Sequence, residues 1–170
     1  MERNKRATYN PELDLAKGTT PDTASYNKTQ EIKIETRTIQ EQDHRGILAV
    51  VEALTAWFDP DARDRAIPAD LRHQYGIVAV SEGKIVGFIT LFFAEGRLNI
   101  GWMGIRPDYQ KRGIGSRLLA RAEEFGRLHG MTEIATYTLG DSVDYKPYEV
   151  TRKFYFKQGF TIYQRNKTDN

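Results

Sequence analysis

Two closely spaced glycines, Gly113 and Gly115, follow the polar run Gln110, Lys111 and Arg112 and precede a segment with helical periodicity. The start of a helix leaves backbone N–H groups unpaired and carries a partial positive charge. Glycines allow a tight turn and let an anion reach the backbone without meeting a Cβ atom. Lys111 and Arg112 would add charge beside that anion. The pattern predicts a phosphate-binding turn, although an ordinary strand-to-helix loop is also often glycine-rich.

Two other phosphate-binding motifs do not fit this turn. A Rossmann fingerprint requires a third glycine at the position of Leu118. A Walker loop requires Gly-Lys-Ser/Thr after a four-residue gap, and the chain does not have that sequence here. The turn is therefore interpreted as an anion-binding loop of another type, one suited to a diphosphate.

A strand must lead into this turn and a helix must follow it. The run "LNIGWMGI" before Pro107 predicts the strand, and "SRLLARAEEFGRLHG" predicts the helix, with Gly130 at its C-terminal cap. The apolar residues expected on one face of this helix are Leu118, Leu119, Ala122, Phe125 and Leu128.

Upstream, the folded part is expected to begin near Glu31 with the strand "EIKIETRTI". A helix in "EQDHRGILAVVEALTAWF" follows, with Asp43 as its N-cap. Residues 59–73 predict a loop with a short helix over 69–73. The turns "SEGK" and "AEGR" separate three consecutive antiparallel strands.

Downstream, "MTEIATYTL" predicts a strand, residues 140–149 a tyrosine-rich loop, residues 150–158 a helix and "GFTIYQR" a last strand. The expected order is β-α-β-β-β-α-β-α-β. This order indicates an α/β domain with a mixed sheet.

The stretch "IRPDYQKRGIGSRLL" resembles the cofactor motif of the GNAT superfamily of N-acetyltransferases, with Gln110, Gly113 and Gly115 at the motif positions. A second stretch, "RKFYFKQGF", is similar to the family's Phe-Tyr-x-x-x-Gly-Phe helix and turn. The resemblance covers residues 31–170 by element order and residues 98–163 by motif. It implies a single-domain GNAT-like α/β fold, in which a mixed, mostly antiparallel twisted sheet is splayed at the cofactor site and has helices on both faces.

The resemblance also implies acetyl-CoA as co-substrate. Its diphosphate would lie on backbone N–H groups of the glycine turn, and its pantetheine arm would pair with the preceding strand. A free N–H near Met103 or Gly104 would stabilise the oxyanion. The cofactor-binding residues that the resemblance implies are Met103, Gly104, Ile105, Gln110, Lys111, Arg112, Gly113, Ile114, Gly115 and Ser116.

Acetyl transfer by direct attack of an amine needs two proton movements. Tyr155 matches the family tyrosine that protonates the CoA thiolate, and a phenol of pKa about 10 stays protonated at neutral pH; core packing is the other interpretation of Tyr155. The strand before the turn has no glutamate that would serve as base. Some family members have a cofactor-contacting asparagine where this chain has Tyr148. The candidate bases are a water relay and the loop acids Asp141, Asp144 and Glu149, with Glu149 favoured among the acids.

Aromatic and acidic side chains could receive the amine acceptor, a small molecule or a peptide. The acids Asp59, Asp61 and Asp64 could bind a cationic substrate, although a solvated charged loop explains them as well. The aromatic candidates, which could equally be packing residues, are Trp102, Tyr137, Tyr145 and Tyr148.

Composition excludes several other classes. The 170-residue chain has a net charge of +2, no cysteine and three scattered histidines, so we expect no nucleic-acid or membrane partner, no disulfide and no metal. No apolar run is long enough to span a membrane. Residues 1–30 are expected to form a flexible polar extension before a domain over 31–170, in a cytoplasmic monomer or homodimer.

Three functions from different classes follow. The first is an acetyl-CoA-dependent N-acetyltransferase. The second is a module that binds or senses acyl-CoA without turnover, which the missing strand glutamate allows. The third is a nucleic-acid-binding domain that uses the arginines around Lys111, and the near-neutral charge argues against it.

Overall fold

The computed structural model describes residues 31–140 and 144–163. The predicted extension 1–30, the candidate base Asp141 and the end of the predicted last strand lie outside these residues. Contacts divide the chain into Met1–Lys33 and Ile34–Asn170, and every described helix and strand belongs to the second unit.

Within residues 31–140 and 144–163, five strands form one sheet in the order β1-β2-β3-β4-β5. The first four are antiparallel neighbours, and β5 pairs with β4 in parallel. This is the mixed, mostly antiparallel sheet that was predicted. The strands are β1 (Glu35–Thr38), β2 (Tyr75–Ser81), β3 (Lys84–Ala94), β4 (Arg97–Ile105) and β5 (Ile134–Thr136).

The described part of the chain has four α-helices, which lie on both faces of the sheet. One buried cluster packs the helix after β4 against the sheet, and a second packs the helices between β1 and β2 against the other face. None of the helices in the described residues is long and apolar enough to cross a bilayer. The helices are α1 (His44–Glu52), α2 (Ile67–Asp70), α3 (Ile114–Leu128) and α4 (Lys146–Lys157).

Both predicted hairpin turns are confirmed. Glu82 and Gly83 have φ of 49° and 77°, and Glu95 and Gly96 have φ of 56° and 74°. Positive φ at both central residues is the type I′ geometry that matches the twist of two antiparallel strands. The predicted glycine cap of α3 is also present: the Met131 N–H donates to the Gly126 carbonyl (2.9 Å) in a Schellman arrangement.

The prediction that Leu128 lies on the buried face of α3 was wrong. Its side chain is 75% exposed. The buried seam passes instead through Gly115 and Gly126. A Cβ atom at Gly126 would lie 3.0 Å from Leu98, so the helix approaches the sheet with backbone there. The prediction placed only apolar side chains on the buried face of α3. Glycine has no side chain, so the pattern missed Gly126 and included Leu128 instead.

Several predicted boundaries were wrong. The predicted first helix is a 3₁₀ turn, Glu41–Asp43, followed by the shorter α1, and Asp43 caps α1 by position without a side-chain bond. The short helix predicted over 69–73 begins earlier, as a π-helical turn at Ala62–Ala66 that continues into α2.

Three further boundaries near the C-terminal side also differ. The strand predicted over 131–139 is only β5, and α4 begins before 150 because Pro147, which lacks an N–H, is accepted in the first turn of a helix. The described part of the predicted last strand, 159–163, is not a strand. The predicted sheet therefore loses its sixth strand within the described residues.

Candidate active site

The glycine turn forms an open loop at the start of α3. Lys111 and Gly113 have φ of 62° and 79°, which turns the chain back so that it enters the helix. The first bond of the helix runs from the Arg117 N–H to the Gly113 carbonyl (3.1 Å). The N–H groups of the first turn, from Ile114 to Ser116, therefore have no partner within the helix. Such a turn can bind an anion.

The two glycines of the turn have different roles. A Cβ atom at Gly113 would meet nothing within 4 Å, so the space in front of this exposed turn is open. A Cβ atom at Gly115 would lie 3.1 Å from the Phe154 ring and 3.2 Å from Ile105. The sequence prediction assigned both glycines to anion approach. Close packing against Phe154 and Ile105 therefore gives a reason for a glycine at 115 that does not involve an anion.

Polar side chains tie this turn to its neighbours. Gln110 donates through Nε2 to the Ile105 carbonyl (3.0 Å), which links the loop to the end of β4. The Arg112 guanidinium lies 5.7 Å from the centre of the Tyr109 ring. Lys111 and Arg112 are exposed, and their charge adds to the positive potential of the helix start.

The sheet opens where β4 leads into the turn. β5 pairs with β4 only through Leu98, Asn99 and Ile100, whereas β4 continues to Ile105. The last five residues of β4 therefore have no partner in β5. This is the splay that the resemblance predicted between these two strands.

Backbone groups of β4 point into the opening. The Arg106 N–H donates to the Val86 carbonyl on β3 (2.9 Å). Hydrogen-bonding direction alternates along an antiparallel strand, so the backbone groups of Met103 and Ile105 point away from β3, towards the side that β5 leaves open. The Ile105 carbonyl already accepts a hydrogen bond from the Gln110 Nε2. The Met103 N–H is left directed at the opening.

Tyr155 lies beside this opening. Its side chain is 8% exposed, and its Oη lies 3.8 Å from the Met103 Sδ. The rings of Phe154 and Phe160 pack edge-on against it, with centroids 5.3 and 5.1 Å away. Burial raises the pKa of Tyr155, and a hydrogen bond with Thr136 opposes this only in part. The phenol is therefore protonated at neutral pH and can donate a proton.

Three polar side chains on or beside α4, β5 and β4, including the favoured candidate base Glu149, have other partners. Glu149 is exposed and lies 2.8 Å from the Lys153 Nζ, a contact that lowers the pKa of its carboxyl. Glu133 lies 3.8 Å from Arg97. Asn99 is buried and donates to the carbonyls of Ala94 and Arg97, at the far end of β4.

Three of the four predicted aromatic residues lie near one loop, the segment 54–59 after α1. Tyr145 and Tyr148 donate to the carbonyls of Ala56 and Trp57 (2.8 and 2.9 Å). Trp102 packs edge-on against Phe58, at 6.0 Å between centroids, and donates to Asp70 Oδ2 (2.7 Å). Tyr137 is not part of this group, because it interacts with Tyr163.

The predicted acidic loop is largely neutralised from within. Asp61 accepts two bonds from Arg65 at 2.7 Å, and Asp64 lies 3.2 Å from Arg63. Asp59 accepts from the Ala62 N–H (2.8 Å), as a residue that precedes a helical turn does. These contacts match the solvated charged loop rather than a cation site.

Sequence reasoning missed two residues that join the site together. Trp57 donates to the Pro147 carbonyl and to the Thr151 Oγ1, both at 3.2 Å, and so connects the loop after α1 to α4. Gln158 donates to the Ser116 Oγ (2.9 Å) and connects the end of α4 to the start of α3. Both contacts span long sequence separations, which no local pattern reveals. Within residues 31–140 and 144–163, no group of histidine, aspartate and glutamate side chains could hold a metal.

Comparison with known proteins agrees with this geometry. Residues 72–162, more than half of the chain, match the acetyltransferase (GNAT) domain. The chain is 27% identical over 120 residues to the S-alkylcysteine N-acetyltransferase of Bacillus subtilis (strain 168). That alignment covers 66% of this chain and 66% of the relative, so the chain spans just under two thirds of the relative's length.

Solved structures share the fold. A GNAT-family protein from Desulfovibrio desulfuricans has a TM-score of 0.66 at 25% identity, over 76% of this chain and 85% of that one. The PaiA N-acetyltransferase from Thermoplasma acidophilum, solved in complex with coenzyme A, has a TM-score of 0.64 at 18% identity, over 79% and 94%. Because the family model matches more than half of the chain and includes the elements from β2 to α4, this chain belongs to the GNAT family of acetyltransferases.

Proposed function

We propose that this chain is an acetyl-CoA-dependent N-acetyltransferase that acetylates a primary amine by direct attack on the thioester. The observation that carries the proposal is the open turn at Gly113, which lies at the end of a strand whose free edge faces a buried, protonated tyrosine. A family relative that is named an S-alkylcysteine N-acetyltransferase supports a nitrogen acceptor.

The proposed contacts of acetyl-CoA follow from the free backbone groups. Its diphosphate binds the N–H groups from Lys111 to Ser116, with Gly113 leaving the approach open. Its pantetheine arm pairs along Met103 to Ile105, where β4 has no partner in β5. The Met103 or Gly104 N–H stabilises the thioester oxygen as charge develops on it; the ladder direction favours Met103.

In the proposed reaction, a deprotonated amine attacks the thioester carbon, a C–N bond forms and the C–S bond breaks. The thiolate takes a proton from Tyr155, and the nitrogen loses its proton to water. The ion pair of Glu149 with Lys153 supports water rather than this carboxylate as the acceptor of that proton. We propose that the acceptor enters on the side of Trp102, Tyr145 and Tyr148, where the loop after α1 meets α4.

Calorimetric titration with acetyl-CoA tests the proposal. The wild type should bind, and Gly113→Glu should abolish binding because it places a bulky anion in the turn. Gly96→Glu is the matched control, since Gly96 also has a positive φ of 74° and open space around it but lies in the β3–β4 turn. Equal loss in both variants, or a wild type that binds no acyl-CoA, would contradict the proposal.

Turnover separates an enzyme from an acyl-CoA-sensing module. The protein would be incubated with acetyl-CoA and a panel of diamines, amino acids, aminoglycosides and peptides, and free thiol would be measured. Thiol release with at least one amine is expected. Tight acetyl-CoA binding without release of thiol for any amine class would instead indicate a sensing module.

A further inference from the structure

The end of α4 contacts the first turn of α3 at two points. The Phe154 ring packs on Gly115, where a Cβ atom would lie only 3.1 Å from the ring. One turn further along, the Gln158 Nε2 donates to the Ser116 Oγ at 2.9 Å. Both Gln158 and Ser116 are partly buried. The helix that carries Tyr155 is therefore joined directly to the proposed diphosphate site.

The backbone of Gln158 is held independently of this bond. Its N–H donates to the carbonyls of Phe154 and Tyr155, both at 3.1 Å, and the chain then reverses at Gly159, whose φ is 95°. The Phe160 N–H closes the cap on the Tyr155 carbonyl (3.0 Å). These backbone hydrogen bonds therefore fix the point from which the Gln158 side chain extends to Ser116.

The chemistry of a hydroxyl gives this contact a direction. A serine hydroxyl has one proton to donate and two lone pairs that accept. Because the Gln158 Nε2 donates to the Ser116 Oγ, the Ser116 hydroxyl does not donate its own proton to this nitrogen. That proton remains available for a hydrogen bond to another acceptor. Donation to the oxygen also polarises the O–H bond and strengthens its own donation.

We propose that Gln158 is a positioning residue that holds the Ser116 hydroxyl as a donor towards the diphosphate of acetyl-CoA. The inference rests on the proposed function, because it assigns a role within the same cofactor site. Ser116 lies in the first turn of α3, where N–H groups without a helical partner face outwards from the helix start. Its hydroxyl then adds a side-chain donor to those backbone donors.

Two variants of Gln158 separate donation from packing. Gln158→Met keeps the length of the side chain but cannot donate. Gln158→Glu can only accept from Ser116, so it takes the hydroxyl proton and adds a negative charge near the diphosphate. We expect the Kd for CoA to rise about fivefold in Gln158→Met and about thirtyfold or more in Gln158→Glu, in line with hydrogen bonds to charged groups.

A truncated ligand and a double variant make the test specific. Pantetheine lacks the diphosphate, so its Kd, measured by the same calorimetry, should be unchanged in Gln158→Met. Ser116→Ala should also weaken CoA binding, and adding Gln158→Met to it should cause no further loss, because the two residues act through one hydroxyl. Thermal melting of each variant checks that it folds.

The outcomes distinguish this inference from the proposed function. If the wild type binds CoA and Gln158→Met binds it equally well, the role of Gln158 is wrong while the enzyme proposal stands. The same conclusion follows if pantetheine binding falls in parallel with CoA binding, or if the Ser116→Ala and Gln158→Met losses add. If the wild type itself does not bind CoA, both proposals fall.

Discussion

At the scale of single residues, the proposed chemistry depends on one buried phenol. Tyr155 lies in an apolar setting of Phe154, Phe160 and the Met103 thioether, and this setting raises its pKa. A raised pKa keeps the hydroxyl protonated over a wider pH range, which suits a proton donor. Its contact with Met103 places it beside the strand along which the pantetheine arm is proposed to bind.

Replacing Tyr155 with Phe should lower kcat about 100-fold, with KM for acetyl-CoA changed less than about threefold, because only the proton donor is lost. In the proposed mechanism the protonated phenol is the active form, and burial raises its pKa. Wild-type kcat should therefore persist past about pH 10, where an ordinary tyrosine loses its proton, and should fall only at higher pH. Steady-state kinetics across pH would check both effects. Tyr75→Phe, at an exposed tyrosine of β2, is the control. An unchanged kcat would remove Tyr155 from the mechanism.

Glu149→Gln should change kcat less than about twofold, because a general base normally contributes 100-fold or more and this carboxylate is exposed and bound to Lys153. Its lowered pKa makes it a weaker base. Turnover with the best amine of the panel would be compared between this variant and the wild type. A loss near 100-fold would identify Glu149 as the base after all.

At the scale of elements, two contacts hold neighbouring parts of the fold together. α4 packs on α3 through a glycine, and the entry to α1 is fixed to β1 by an ion pair. Arg37 on β1 reaches both carboxylate oxygens of Asp43 (2.6 and 2.8 Å), and the Gln40 N–H donates to the same carboxylate (2.8 Å). The chain thus turns from strand to helix around one buried acid.

Gly115→Ala should reduce the free energy of unfolding by about 1–3 kcal/mol, because the added methyl would lie 3.1 Å from the Phe154 ring and the two helices would have to move apart. Urea unfolding would measure the loss. Glu123→Ala, on the exposed face of the same helix, should change stability by less than about 0.5 kcal/mol. If Gly115→Ala left the free energy of unfolding unchanged, the Phe154 ring would have to move aside at little cost.

Asp43→Asn should lower the free energy of unfolding by about 1–3 kcal/mol at neutral pH, because the buried carboxylate loses its charged hydrogen bonds. The pKa of Asp43 is lowered, first by its bond to Arg37. Its contribution is therefore complete above the unfolded pKa of about 3.9 and is lost as the pH falls through the lower folded value.

Thermal melts from neutral pH to about pH 2 would test this, since the wild-type advantage over Asp43→Asn should shrink only below about pH 4. Asp61→Asn is the matched control: Asp61 has the same two-oxygen contact with Arg65 but is exposed. Its replacement should leave the melting curve nearly unchanged. A pH-independent difference for Asp43→Asn would mean that shape rather than charge matters there.

At the scale of the whole molecule, the described core depends on residues from Ile34 onwards. The two buried clusters lie on opposite faces of the sheet, one formed with α3 and the other with α1 and α2. The strand β4 belongs to both, so it has an apolar neighbour on each face while its end remains free at one edge. The site therefore lies where a fully supported strand loses its pairing partner.

Removing residues 1–30 should leave the melting temperature within about 2 °C and the Kd for acetyl-CoA within about twofold, since the described core and proposed site use later residues. Calorimetric scanning and titration of the shortened chain beside the full chain would check this. A large fall in either quantity would show that the segment belongs to the folded unit and would overturn the proposed boundary at residue 31.

The amino-acid sequence by itself determined the parts of this protein that depend on near neighbours. Hairpin turns were predictable because each polar Glu-Gly stretch lies between two apolar runs and contains a glycine, which adopts positive φ readily. The glycine turn was predictable because a strand, a proline and two glycines occur in order over a short stretch. The end of α3 followed from Gly130, which adopts the left-handed conformation.

Only the tertiary structure decided the features that depend on distant residues meeting. The role of Gly115 depends on Phe154, the hydroxyl of Ser116 is joined to Gln158, and Leu128 is exposed because the buried seam runs through glycines. A periodic pattern of apolar side chains does not show a buried glycine, because glycine has no side chain. A hydrogen bond between residues far apart in the sequence leaves no local sequence pattern. The splayed edge of β4 is likewise a property of the whole sheet, because it depends on where β5 stops pairing.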